Sequence, residues 1–133
     1  WYDLAFQFMV RTEPLELLLS DNTLEITGGF VADGGAQIAE TVKDVLNNDI
    51  ITSPKFVYFN SIGSDTSDHR DFTGGPYDTI KIGKDFYLYT GANPSSQAFV
   101  SHFDQTFSQV PEPASIGLML LGAAGMVCSR RRR

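Results

Sequence analysis

Apolar and polar residues alternate from the start of the chain. Tyr2, Leu4, Phe6, Phe8 and Val10 interleave with Asp3, Gln7 and Arg11, and a period of two predicts a strand with one buried face. Two short runs, Leu15 to Ser20 and Thr23 to Thr27, flank Asp21-Asn22. They read as a hairpin, because Asx residues favour tight turns. Gly28-Gly29 and Asp33-Gly34-Gly35 punctuate the next stretch of chain. Residues 36–47 fit two patterns. Ile38, Val42, Val45 and Leu46 have helical spacing, with Asn47-Asn48 as a stop, while the β-branched residues suit a strand equally well. The reading leans to a short helix or a long loop.

Lys55 to Asn60 is aromatic and β-branched on both faces and predicts a buried strand. Residues 61–76, rich in Ser, Thr, Gly and Asp and ending in Pro76, predict a long polar loop. Thr79 to Ile82 and Phe86 to Thr90 around Gly83-Lys84-Asp85 form the clearest hairpin pattern. Ala92 to Ser96 reads as a turn. Phe99, Phe103 and Phe107 recur every four residues, as in a helix, but Phe99-Ser101-Phe103 also alternates. The surrounding Ser, Thr, Gln and Val favour a last strand. The sum is an all-β domain, a small sandwich or jelly-roll-like fold of five to seven short strands with at most one short helix. A single apolar helix is expected after it, and there is no internal repeat.

At 133 residues the chain is long enough for one domain and not two. Its 42 % hydrophobic and 12 % aromatic content is globular rather than disordered. The charges divide the chain. Four of its ten basic residues are Arg130, Arg131, Arg132 and Arg133. Residues 1–109 hold six basic and fifteen acidic residues, a net charge of −9. Such a body repels nucleic acid and anionic lipid, so nucleic-acid binding is excluded. The single cysteine, Cys128, lies in the C-terminal apolar segment. No disulfide framework and no cysteine-based zinc site is available, and a chain without disulfides must rely on its core or on ions. The chain starts at Trp1 rather than Met, as expected of a processed or partial sequence.

The body offers few chemical constellations. Asp65, Asp68, His69 and Asp71 fall within seven residues, with Asp78 close behind. Three carboxylates on one loop, Asp65, Asp68 and Asp71, could ligate Ca²⁺, but the spacing lacks the glycine and closing Glu of an EF-hand. A solvated acidic loop and no cofactor is the expectation. His102 and Asp104 share a strand face. They are half of a nucleophile relay, yet no Gly-x-Ser-x-Gly elbow accompanies them, so a surface pair and no enzymatic activity are expected. Trp1, Tyr58, Tyr77, Tyr87 and Tyr89 could stack sugars, although strand aromatics more often pack across strands.

The tail carries the most specific signal. Val110-Pro111-Glu112-Pro113-Ala114-Ser115 cannot enter a helix interior or a central strand, since neither proline has an N–H. It predicts a stiff, extended, exposed peptide, costing little ordering entropy to bind. Thirteen uncharged residues come next: Ile116, Gly117, Leu118, Met119, Leu120, Leu121, Gly122, Ala123, Ala124, Gly125, Met126, Val127 and Cys128. As a helix they would span roughly 20 Å against the ~30 Å of a bilayer core, which suits a transient membrane intermediate. The terminal arginines place the C-terminus in the cytoplasm and the body outside. A Pro-Glu-Pro block, a Gly-rich apolar stretch and an arginine run, in that order, resemble the PEP-CTERM sorting signal of Gram-negative bacteria. The resemblance covers residues 110–133 and leaves 1–109 as a β-rich exported domain. It implies exosortase as partner, with Pro111, Glu112 and Pro113 as the recognised motif and cleavage at or near it. It further implies passage through the inner membrane and delivery to the envelope, cell surface or extracellular matrix. The expected role is structural or adhesive within exopolysaccharide. A carbohydrate-binding module is the second reading and a secreted hydrolase the third.

Overall fold

A computed structural model describes residues 1–13 and 17–112. The expected helix over Ile116–Cys128, the arginine run and Pro113 lie outside these residues. Eight strands form two antiparallel sheets packed face to face: β1 (Tyr2–Arg11), β2 (Leu17–Val31), β3 (Gly35–Asp44), β4 (Lys55–Asn60), β5 (Gly63–Asp65), β6 (Ser67–Asp71), β7 (Thr79–Tyr89) and β8 (Gln97–Pro111). The five-stranded sheet has the order β1-β7-β3-β4-β5, and the three-stranded sheet the order β6-β2-β8. The all-β sandwich expected from the alternation is present, with one strand more than the upper estimate and no α-helix among the described residues.

Four local expectations are corrected. Residues 36–44 are neither helix nor loop but lie in β3, and 45–47 form the turn that follows it. Ala36, Ile38 and Val42 all face the core of β3, so the period of two prevails over the helical spacing. Asn48 does take the left-handed conformation, φ 61°, but in a hairpin turn after β3 rather than at a helix end. Asp21-Asn22 and Gly28-Gly29 are interior to β2, and Gly83-Lys84-Asp85 is interior to β7. Neither predicted hairpin exists; both segments are single long strands. The polar loop at 61–76 contains β5 and β6.

The strands β1 and β4, the Ala92–Ser96 turn and the last strand form where expected, but β4 buries one face rather than two, with Phe56 exposed, and only Phe6, Phe8 and Val10 of the apolar face of β1 are half-buried. β8 pairs with β2 along its whole length, with irregularities at Leu19/Asp21 and Thr27/Gly28. These leave Ser20 on β2 and Ser101 on β8 as extra residues that kink the pairing.

The apolar core between the sheets has two parts. One gathers Leu19, Val42, Ile51, Phe72, Ile80 and Ile82. The other gathers Leu24, Ile26, Ala36, Ile38, Val57 and Phe59. Each fully buried Leu, Ile or Val contributes about 1.5–3 kcal/mol. The inward phase of each strand passes from one cluster toward the other through a polar residue. These are Asn22 on β2, Glu40 on β3, Lys55 at the start of β4 and Lys84 on β7, all buried.

Candidate functional site

This polar layer is the most unusual chemistry in the body. Four strands each contribute one side chain, and Glu40 is the hub. Its Oε1 accepts from Asn22 Nδ2 at 2.8 Å and from Lys55 Nζ at 3.2 Å. Its Oε2 pairs with Lys84 Nζ. Lys84 also lies over the Phe103 ring, 5.2 Å from its centre, a cation–π contact. Burial works to raise the Glu40 carboxyl. The charge and hydrogen bond of Lys84, then Lys55 and the Asn22 amide, outweigh it and hold that carboxyl below its usual value. Burial wins at both lysines, and each ammonium is pushed down despite Glu40.

These shifts fix the sign of the pH dependence. Glu40 is ionised more readily in the folded chain than in the unfolded one. Its contribution is therefore complete above its ordinary value of 4.5 and is lost as pH falls through the lower folded value. The lysines, depressed on folding, make stability rise with pH on approach to 10.5. The urea midpoint is expected to drop below pH 4.5 and to rise on the approach to pH 10.5. A midpoint independent of pH down to about pH 3 would contradict the assignment of Glu40 as the charged hub.

The acidic candidates do not converge. Asp65 is on β5, and Asp68 and Asp71 are on β6. Asp68 is committed within the fold: its Oδ1 meets Arg70 Nε at 2.9 Å and its Oδ2 accepts the Phe56 N–H at 3.1 Å. Asp71 Oδ1 lies 3.6 Å from His69 Nε2. Across the β2–β6 pairing, Asp21 joins them, so that one ligand-type atom from each of Asp21, His69 and Asp71 falls within 4.8 Å of the others. That set offers one ring nitrogen with two carboxylates, unlike the all-oxygen shell of Ca²⁺. His102 Nε2 lies 3.2 Å from Asp104 Oδ2, with both side chains more than half exposed. Ser101 Oγ is 3.3 Å from His102 Nδ1, but it donates to the Thr27 carbonyl at 3.0 Å. The serine proton is therefore directed away from the imidazole, the reverse of an activated nucleophile.

β8 leads out of the sandwich. Its last residues pair with the start of β2, Val110 with Leu18 and Pro111 with Leu17. β8 is the edge strand of its sheet, where a residue without an N–H is tolerated. Pro111 is exposed and Glu112 half-buried. Val110 and Pro111 are thus extended, held straight by their pairing to β2, while Val110 and Glu112 are only half-exposed.

Residues 109–133 match the family described as the PEP-CTERM protein-sorting motif. The tail is a PEP-CTERM sorting motif. No curated protein and no solved structure matches the chain. The PEP-CTERM motif marks an exported protein directed to the cell surface and implies processing by exosortase. Its match begins at Gln109, inside β8, so the motif is continuous with the folded body.

Sequence reasoning misses the polar layer because it places Lys84 in a turn and Glu40 in a loop or helix. A signal is nevertheless there. Ile80, Ile82, Lys84, Phe86 and Leu88 keep one period-two phase, as do Ala36, Ile38, Glu40 and Val42. A charged residue occupying an apolar phase is the mark of a buried charge.

Proposed function

We propose that this is an exosortase-sorted protein of a Gram-negative bacterium that acts without catalysis, structurally or adhesively, in the surface polysaccharide or biofilm matrix. The observation that carries the reading is the PEP-CTERM motif running on from the last strand of a folded, acidic body. In this reading Ile116–Cys128 crosses the inner membrane transiently, Arg130–Arg133 stay in the cytoplasm, and exosortase acts at or near Pro111-Glu112-Pro113. Intact mass of the protein from its host tests it. The segment beyond the motif is expected to be lost in the wild-type strain and retained in a strain without exosortase. Retention in both strains would reduce the tail to a membrane anchor.

A carbohydrate-binding role is the second reading, supported by the outer face of the five-stranded sheet, which the three-stranded sheet leaves uncovered. Trp1, Tyr87 and Tyr89 form a row there, with ring centres 6.3 and 5.7 Å apart. Tyr58, Gln37 and Tyr87 succeed one another in register across β4, β3 and β7. Tyr89 lies against Gly35: a Cβ there would come within 2.6 Å of the ring. Next to the row runs a shallow trough of about 550 Å³ over Ala5, Gln7, Ala39, Thr41, Gly83 and Asp85. Flat rings beside amides and carboxylates suit uncharged sugars, by stacking and hydrogen bonding. Tyr77 is not part of this face. It packs edge-on against Phe72 and donates to the Thr73 carbonyl at 2.8 Å.

A further inference from the structure

The buried polar layer contains the elements of a self-catalysed cross-link. We propose that Lys55 Nζ condenses with the side-chain amide of Asn22, with Glu40 as proton carrier, to give an intramolecular isopeptide bond joining the two sheets. The proposal does not depend on where the protein is delivered.

Three observations carry it. The first is juxtaposition. Lys55 Nζ and Asn22 Nδ2 both bond the same oxygen, Glu40 Oε1, at 3.2 and 2.8 Å. Amine, amide and carboxylate are therefore side by side, with the carboxylate in contact with both reacting groups. Holding reactants in this way replaces a bimolecular encounter by an effectively unimolecular step.

The second is charge. Two buried lysines face one buried carboxylate, and all three side chains are shielded from water. An ion pair needs one of each, so the layer carries a surplus ammonium that burial penalises. Condensation converts Lys55 into a neutral amide and leaves Glu40 balanced by Lys84, which already holds its other oxygen. Burial also pushes the Lys55 ammonium down, toward the neutral amine that can attack.

The third is the amide itself. Asn22 is fully buried, yet its Oδ1 meets no hydrogen-bond donor among the described residues. Most buried amides have both ends satisfied, so this unpaired oxygen calls for an explanation.

The step balances without any co-reactant. The Lys55 ammonium gives a proton to Glu40 Oε1, and the neutral amine attacks Asn22 Cγ. As the new Cγ–Nζ bond forms, Nζ sheds one more proton, and Glu40 relays protons to Nδ2. The Cγ–Nδ2 bond breaks, its electron pair stays on nitrogen, and that nitrogen leaves as ammonium. A neutral secondary amide and an ionised Glu40 remain. Nothing is oxidised or reduced. The consequence is a covalent tie between β2 and β4 in a chain whose body has no cysteine.

The test is a tryptic digest of the full-length chain, denatured and analysed by mass spectrometry. Acylated Lys55 resists trypsin, so the expected product is a branched peptide in which Thr12–Lys43 is joined to Asp44–Arg70, lighter by one ammonia than the two together. Fragmentation must place the branch between Asn22 and Lys55. Lys55→Met and Glu40→Gln are each expected to abolish the branched species completely. Two linear peptides with cleavage after Lys55 in the wild-type chain would overturn the proposal, whatever the variants do. So would a branched species that persists in Lys55→Met.

Discussion

Glu40→Ala is expected to cost about 3–5 kcal/mol, the loss incurred when one partner of a buried ion pair is removed. Domains of this kind have about 5–15 kcal/mol in total, so the variant is expected to lose a large share of its stability. Glu40 is the acceptor for three buried donors, Asn22, Lys55 and Lys84. Without it, two ammonium groups face an apolar interior with no water to replace the carboxylate. Two comparisons isolate this cause. Asp104→Ala removes the carboxylate of an exposed pair with His102 and is expected to change stability by less than about 0.5 kcal/mol. Adding Lys84→Met to Glu40→Ala deletes one of the stranded charges and should restore part of the loss. Urea unfolding followed by far-ultraviolet circular dichroism measures all three. A Glu40→Ala variant as stable as Asp104→Ala would mean that the lysines reach water and that the layer is not dry.

The parts of this fold that are readable from sequence are those whose information is local. β1 keeps an apolar residue at every second position, β4 is a short apolar run, and the sorting motif is a contiguous peptide. The misread turns share one cause. Asp21-Asn22, Gly28-Gly29 and Gly83-Lys84-Asp85 are turn-type residues inside strands. Turn propensity reports what a segment prefers alone, whereas cross-sheet partners decide these positions. Asn22 sits in a strand because Glu40 accepts from its amide. Lys84 sits in an apolar phase because Glu40 and the Phe103 ring receive its ammonium. Those partners lie on β3 and β8, far away in sequence, so no window on β2 or β7 could reveal them. The same holds for Asp21, His69 and Asp71, which only the β2–β6 register brings together.

The glycines show the same contrast and give the second large expected effect. Gly28 and Gly83 are both strand-interior glycines that sequence reasoning treats as punctuation, yet their surroundings are opposite. A Cβ on Gly28 would overlap the Phe99 carbonyl oxygen and lie 2.7 Å from Phe59 Cζ. The carbonyl belongs to the paired β8 backbone beside the Thr27/Gly28 irregularity, and Phe59 is a buried core ring. Neither can withdraw without parting the two long strands or opening the core. Gly28→Ala is therefore expected to destabilise by about 2–3 kcal/mol, at the upper end for overpacking. A Cβ on Gly83 would find its nearest atoms at 3.7 Å or beyond, on the Thr41 and Gln7 side chains. There the added methyl meets ordinary contact and removes the flexibility glycine gives the unfolded chain, so Gly83→Ala is expected to stabilise by about 0.5 kcal/mol. Thermal unfolding of the two variants side by side gives opposite signs if the close approach at Gly28 is what demands glycine. Equal small losses at both sites would mean that β8 can shift away from Gly28, and that this glycine marks only a bend.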